Sequence, residues 1–233
     1  MNLPIEEPFK SEKSARAYEN ILEVASGLFG RKSFQSVTMR EIAAACELSL
    51  GAFYYYFESK ESIVLALYRK WSLEILDLYR SQGDSRGSFP DAVRDFLHLK
   101  LRYLTPHRDL LRMLLREAVD PQSPLSPFSP NAAQAFRPTL EAFRLIVERT
   151  AAARPQEAVA LARGLWLAHL TMLIFWIHDR SPGFGATHRM IGLFASLLKW
   201  SQVAARVPWL SRLRREVLRE LNSLFPKEES ADG

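Results

Sequence analysis

Cysteine is nearly absent from this chain: Cys46 is the only one in 233 residues. A single thiol excludes an internal disulfide framework and a cysteine-based zinc finger, and it fits a reducing compartment. Long apolar runs are missing too. The longest uncharged apolar stretch, 164–178, has 15 residues, short of the roughly 18–20 that span a bilayer. The opening MNLPIEEPFKSEK has no apolar segment of the secretory type, so the expectation is a cytoplasmic chain with no membrane anchor. Charge of one sign is also scarce. The chain carries 31 Lys+Arg against 26 Asp+Glu, a net charge of +5, yet residues 1–60 hold seven basic and eight acidic side chains. The surplus lies toward the C-terminus, with five arginines between Arg206 and Arg219. Bulk charge therefore gives no argument that the N-terminal segment binds nucleic acid.

Strand-like alternation is almost absent, and apolar residues recur at helical spacing nearly everywhere. The 13 prolines and 10 glycines fall mostly between those runs. The spacing predicts helices at 12–30, 38–45, 49–55, 59–82, 88–104, 106–119, 130–152, 155–180, 185–205 and 208–223. PQSPLSPFSP (121–130) reads as a loop, since prolines so spaced cannot occupy a helix interior. SPGFG (181–185) is a second break, and the tail after 225 reads as frayed. The fold class is all-α.

Catalytic patterns fail one by one, so no catalytic residue, metal site or cofactor is expected. His98, His107, His169, His178 and His188 show no metal-ligand spacing. Ser196 and Lys199 match SxxK inside an apolar helix, without companion motifs. Gly183 and Gly185 lack the third glycine and the preceding strand of a dinucleotide site. Cys46 reads as a small core residue.

The informative stretch is residues 37–62. Thr38 followed by Glu41 forms a capping box, which starts a helix at Met39. Ile42 and Ala45 are expected to face inward, and the helix stops near Cys46. After a short turn, Ser49 is a good N-cap for a second short helix. That helix places Phe53 and Phe57 on one side, able to pack on the first helix near Leu28 or Phe29. Leu50, Gly51, Ala52, Tyr54, Tyr55 and Tyr56 lie on the other. Two short helices joined by a tight turn make a helix-turn-helix, whose second helix can enter the major groove.

This run resembles the TetR family of bacterial transcriptional regulators. The resemblance rests on Thr38, Arg40, Glu41, Ile42, Ala43, Ser49, Gly51, Phe53, Tyr54, Tyr56, Phe57, Ser59, Lys60 and Glu61 at fixed spacing, and it extends over residues 14–65. It implies an N-terminal three-helix domain at 10–62, a larger helical effector-binding and dimerisation domain at 63–225, and a disordered tail at 226–233. It also implies DNA contacts by Thr38, Arg40, Ser49, Leu50, Gly51, Ala52, Tyr54, Tyr55, Tyr56 and Lys60. The physics is suitable. Helix N-termini favour phosphate. Tyrosine offers a hydroxyl and a ring without needing charge. Gly51 admits a close backbone approach. Lys10, Lys13, Arg16, Arg40 and Lys60 can each neutralise a phosphate. Two positions depart from the family. Glu47 stands where glycine is common, so either it adopts a left-handed conformation or the turn differs. Leu50 and Ala52 stand where hydrogen-bonding side chains are frequent, which shifts specificity toward the spacing of a dimer on a palindromic operator.

In the C-terminal bulk, the run 164–178 is apolar all round and must be covered on more than one side. Leu165, His169, Met172 and Trp176 form one stripe; Leu167, Thr171, Ile174 and His178 form the other. The following helix offers Met190, Ile191, Phe194, Leu197 and Leu198. A homodimer interface is expected from Leu167, Thr171, Ile174, His178, Met190, Phe194 and Leu197. An effector pocket is expected among Phe96, Leu101, Tyr103, Met113, Phe136, Phe143, His169 and Met172, although most such residues are ordinary core. No acidic cluster lines these stripes, so the small-molecule effector is expected to be apolar and neutral or anionic. The last helix, from Pro208, reads as packed on the domain with a solvated arginine face. Two functions stay open: a dimeric, ligand-responsive DNA-binding repressor, and a helical small-molecule-binding protein that has lost specific DNA contacts.

Overall fold

The computed structural model describes residues 11–82, 87–204, 216–217 and 219–220. Among them are nine α-helices and no strand. They are α1 (Glu12–Arg31), α2 (Met39–Ala45), α3 (Leu50–Tyr54), α4 (Lys60–Ser81), α5 (Phe89–Leu104), α6 (Arg108–Ala118), α7 (Pro130–Arg149), α8 (Pro155–His178) and α9 (Gly185–Ala204). Each follows a predicted run closely. The expected arginine-bearing last helix and the tail fall almost wholly outside the described residues, as does Lys10.

The chain divides into two compact units. The first comprises residues up to Leu73 together with Leu104–Arg137; the second comprises Glu74–Tyr103 and residues from Pro138 onward. The breaks thus fall within α4, at the last residue of α5 and within α7, whereas the motif places its boundary at 62/63. Within α7 the break coincides with Pro138, whose missing N–H removes one helical hydrogen bond.

In the first unit α1 buries Ile21, Leu22, Ala25, Leu28 and Phe29. Phe34 closes on Phe29 with ring centroids 5.4 Å apart, and Tyr18 stacks on Phe57 at 5.1 Å. Helix α6 packs on α1, and Gln35 donates to Glu117 at 3.1 Å. Trp71 stacks on His107 at 4.0 Å, and Tyr68 meets Phe136 at 4.9 Å. The proline-rich loop is a chain of tight turns. Ser123, Ser126 and Ser129 each donate their N–H to the carbonyl three residues back, at 2.9–3.0 Å. Ser129 then caps α7 through its hydroxyl, with Pro130 in the first turn.

In the second unit α5 runs antiparallel to both α4 and α7. Glu74 accepts from the Tyr103 hydroxyl, Tyr79 meets Phe96 at 5.3 Å, and Phe96 meets Phe143 at 5.1 Å. Helix α8 buries Leu165, His169, Met172 and Trp176, the stripe expected to face inward. By length and composition Glu157–His178 could cross a membrane. Its buried stripe instead belongs to the core of this unit, and its other face stays open. Asp179 then ties α9 to α8. Its carboxylate accepts from the N–H and hydroxyl of Ser181 at 2.8 and 2.7 Å, and from those of Thr187 at 2.8 and 2.6 Å.

Candidate nucleic-acid interface

The turn between α2 and α3 is built from backbone hydrogen bonds. Thr38 lies outside α2 with extended backbone, and its hydroxyl accepts from the Glu41 N–H at 3.1 Å. The Lys32 ammonium, with a smaller contribution from the Thr38 N–H, holds the Glu41 carboxyl below its ordinary range. At the other end of α2 the Leu48 N–H reaches the Ala43 carbonyl at 3.0 Å, and the Glu47 N–H reaches that of Ala44 at 3.1 Å. These are the two bonds of a Schellman stop, which requires a left-handed residue at the position of Glu47. Its φ is +56°. The departure from glycine is therefore met by strain and not by a different turn. Ser49 then caps α3, its hydroxyl accepting from Ala52 N–H at 3.2 Å.

Inside this frame Ile42, Ala43 and Phe53 are buried. Ala45, expected to face inward, is exposed, and Ala43 takes its place. The reason is the phase of a seven-residue helix: Ile42 and its neighbour Ala43 face α1, which turns Ala45 outward.

The open side of α3 is uncharged and aromatic, and Arg40 of α2 adds one cation beside it. Thr38, Arg40, Ser49, Gly51 and Ala52 are exposed; Leu50 and Tyr56 are half-buried. Tyr54 is 47% and Tyr55 68% exposed, and Tyr55 braces Tyr56 edge-on at 5.2 Å. Among the described residues a Cβ added at Gly51 would meet nothing within 4 Å, so none of them requires glycine there. Arg40 is exposed and forms no ion pair among the described residues. Lys60 has another role: its ammonium donates to the Phe34 carbonyl at 2.7 Å and lies 4.6 Å from the Phe34 ring, bracing the loop before α2. Arg16 pairs with Glu12 at 2.6 Å, and Lys13 is exposed.

In the second unit Phe96, Phe143 and His169 form a continuous row, with Phe143 and His169 rings 5.7 Å apart. Leu101 and Met172 are buried in the same unit, and Tyr103 is half-buried with its phenol pushed up by burial and by Glu74. Met113 and Phe136 belong to the first unit. Two buried polar groups join the row. Lys100 is 1% exposed and donates to the Thr139 hydroxyl at 2.7 Å. Burial pulls its ammonium down to about 7. His169 is equally buried, and its Nδ1 lies 3.0 Å from the Trp166 carbonyl. Burial and the Lys100 charge hold the imidazole well below its usual range, and among the described residues Nε2 has no hydrogen-bond partner.

On the outer face of α8, Thr171, Ile174 and His178 are exposed and Leu167 is half-exposed. On α9 Met190 and Leu197 are exposed and Phe194 is half-exposed, while Ile191 turns into the core. Among the described residues no group of three or more metal-ligating side chains occurs.

Two sequence patterns match this chain: bacterial regulatory proteins of the tetR family over residues 21–67, and the tetracyclin repressor-like C-terminal domain over residues 93–199. The chain belongs to the TetR family. Among curated relatives it is 37% identical over 101 residues to an uncharacterized HTH-type transcriptional regulator, YuxN, of Bacillus subtilis, covering 42% of this chain and 33% of that protein. It is 36% identical over 87 residues to the HTH-type transcriptional repressor KstR2 of Rhodococcus jostii, covering 36% and 42%. The matches span about a third to two-fifths of the length of these curated relatives.

Solved TetR-family structures share the fold at low identity. A regulator from Syntrophomonas wolfei aligns with a TM-score of 0.63 at 18% identity, over 84% of this chain and 99% of that one. The Thermus thermophilus repressor FadR, in complex with lauroyl-CoA, gives 0.60 at 19% identity, over 93% and 99%.

Sequence reasoning passed over Lys100 and Thr139 because both are polar. The signal was present: Val93, Phe96, Leu97, Lys100 and Leu104 share one face of α5, and all five are buried. It also passed over Leu193 and Trp200, 61% and 72% exposed, which with Met190 and Leu197 complete one stripe of α9.

Proposed function

We propose that this chain is a cytoplasmic, homodimeric transcriptional repressor that binds a palindromic operator and is released from it by a small apolar effector. In this reading residues 10–62 contact DNA and residues 63–225 hold the effector and the partner subunit. One observation carries it: an exposed surface of Thr38, Arg40, Ser49, Gly51, Ala52, Tyr54 and Tyr55, built on a helix-turn-helix. Hydroxyls, backbone and a guanidinium suit phosphate contacts, and tyrosine rings suit sugars and thymine methyls. A relative supports the regulatory class, since KstR2 is a transcriptional repressor.

Dimerisation is supported by the stripe Met190, Leu193, Leu197 and Trp200 beside Ile174 and Phe175 of α8, all exposed. Covering such side chains contributes roughly 1.5–3 kcal/mol each. Summed over two copies, that outweighs the lower range of association costs, which are on the order of 4–15 kcal/mol. An apolar effector is supported by the row Phe96, Phe143 and His169, and by the lauroyl-CoA held in the structural neighbour FadR.

The test is a mobility shift of the purified protein on the palindrome nearest its own gene, repeated across salt concentrations. Sequence-dependent binding that weakens with salt is expected. Affinity independent of both sequence and salt would instead identify a helical small-molecule-binding protein with no operator function.

A further inference from the structure

Helices α5 and α9 meet at a pair of imidazoles. The Nδ1 atoms of His98 and His188 lie 3.0 Å apart, with ring centroids at 4.9 Å and planes 23° from parallel. Both residues belong to the second unit. His98 is half-buried and His188 is exposed. Ninety residues separate them along the chain, so no local spacing reveals the pair.

A neutral imidazole nitrogen carries either a proton or a lone pair. At 3.0 Å one Nδ1 therefore holds a proton that the other accepts. Moving that proton to Nε2 of its own ring leaves two neutral imidazoles whose Nδ1 lone pairs face each other. Two nitrogens bound to one ion at about 2.0–2.1 Å lie about 2.9 Å apart at a right angle and about 3.3 Å apart at the tetrahedral angle. The observed separation falls between these values. An ion can thus take the place of the shared proton at the spacing the two helices already set.

A carboxylate stands close by. Asp95 precedes His98 by three residues on α5, the carboxylate-x-x-His spacing with which a helix presents two ligands to one ion. Asp95 accepts from Arg94 Nε at 3.0 Å, and its side chain is 58% exposed. Arg94 also donates to Asp91 at 2.8 Å, so it keeps a partner when Asp95 turns away. Of the charged side chains acting on His98, Asp95 favours positive charge, while Arg94 and Arg102 on the same helix oppose it.

We propose that His98 and His188 form a binding site for a divalent transition-metal ion, with Asp95 as a third ligand and water completing the coordination. Imidazole ligands suit copper(II), nickel(II) and zinc(II), and the general order of affinities puts copper(II) first. The donor ring shifts its proton to Nε2, both rings stay neutral, and no electron is transferred. His188 stands in the first turn of α9, so the ion fastens the start of that helix to α5. The site is separate from the apolar row around Phe96 and Phe143, and it does not depend on the operator reading.

The experiment is calorimetric titration of the untagged full chain with copper(II), nickel(II) and zinc(II), together with electron paramagnetic resonance at one equivalent of copper(II). One ion per chain is expected, with dissociation constants in the micromolar range and copper(II) tightest. The copper spectrum should show two equatorial nitrogens, and each metal should raise the melting temperature. His98→Gln and His188→Gln, made separately, should each weaken binding tenfold or more and remove a nitrogen from the spectrum, while Asp95→Asn should weaken binding a few-fold and keep both nitrogens. The spectrum of the natural chain counts the ligands whether or not either variant folds. No saturable binding, a spectrum with fewer than two nitrogens, or affinity unchanged in either histidine variant would overturn the site. Unchanged affinity in Asp95→Asn would overturn the third ligand.

Discussion

Lys100 makes a sharp prediction about stability. Its ammonium is buried and pulled from 10.5 down to about 7, with desolvation as the cause. In the unfolded chain the same group keeps its proton up to about 10.4. Between those values the unfolded state binds more protons, so stability rises with pH through that window and is flat well below it. From about pH 7 to about pH 8.5, Lys100 alone should add roughly 1.5 kcal/mol, from a limiting slope of about 1.4 kcal/mol per unit. For a chain of this size that is about 3–6 °C in melting temperature. His98 and His169 are both depressed from 6.5 and act below it, while Cys46 is raised from 9.0 and the Tyr18 phenol is pushed up to about 12, so both act above it. Urea unfolding followed by circular dichroism at the two pH values should show the gain in the natural chain. It should be absent in Lys100→Met, where an apolar side chain of similar length fills the site. An equal pH dependence in both proteins would refute the reasoning, since it would place the titrating group elsewhere.

Three further outcomes follow from the motif and the open helix face. Gly51→Ala should leave the fold unchanged or stabilise it by up to about 1 kcal/mol in thermal melts, because alanine favours helix, yet it should weaken operator binding at least several-fold in a mobility shift; unaltered DNA affinity would show that nothing approaches the backbone there. Glu47→Gly should relieve the left-handed residue and raise stability by about 0.5–1 kcal/mol in denaturant titrations, whereas a loss would mean that the Glu47 side chain earns its place by a contact. Leu197→Asp should halve the particle mass in light scattering while retaining a cooperative melt, and a persistent dimer would move the interface off α9.

The nine described helices were legible because punctuation and period agree along this chain. Caps, prolines and glycines fall where the apolar stripes stop, and local and tertiary preferences do not compete. The helix-turn-helix was legible for a stronger reason: Thr38, Ser49, Phe53 and Phe57 serve the geometry of a few residues around them. Side-chain assignments faded with distance in sequence. Lys60 looked like a free cation from its position at a helix start, and only the folded chain brings the Phe34 carbonyl to it across 26 residues. Lys100 has the same history, because a lysine at a core position of α5 makes sense only once Thr139 and His169 arrive from other helices. The expected pocket mixed residues of both units, since helical period shows which face is apolar but not which neighbour covers it. The faces of α8 and α9 were read better, because one stripe of each helix had to remain after the core was filled.

The distribution of cations limits how this protein can hold DNA. Around the helix-turn-helix, Arg16 pairs with Glu12, Lys32 with Glu41, Lys70 with Glu19, and Lys60 with loop carbonyls. Exposed pairs of this kind are weak, about 0–1 kcal/mol, and a phosphate can compete for the lysine or arginine, but each exchange leaves a carboxylate facing a polyanion. The net gain per cation is then smaller than for an unpaired arginine such as Arg40. Counterion release, the main source of non-specific affinity, is correspondingly modest. In the proposed reading, recognition draws instead on neutral contacts: the Thr38 and Ser49 hydroxyls, backbone at Gly51, and the Tyr54 and Tyr55 rings and hydroxyls. Neutral contacts are short-ranged and sensitive to fit, so a misplaced duplex loses most of them at once. A single such half-interface binds weakly, and a second copy at fixed spacing multiplies the discrimination. If the proposed interfaces hold, the exposed stripe of α9 and the uncharged edge of α3 belong to one design: a surface that reads DNA weakly depends on a surface that pairs the subunits.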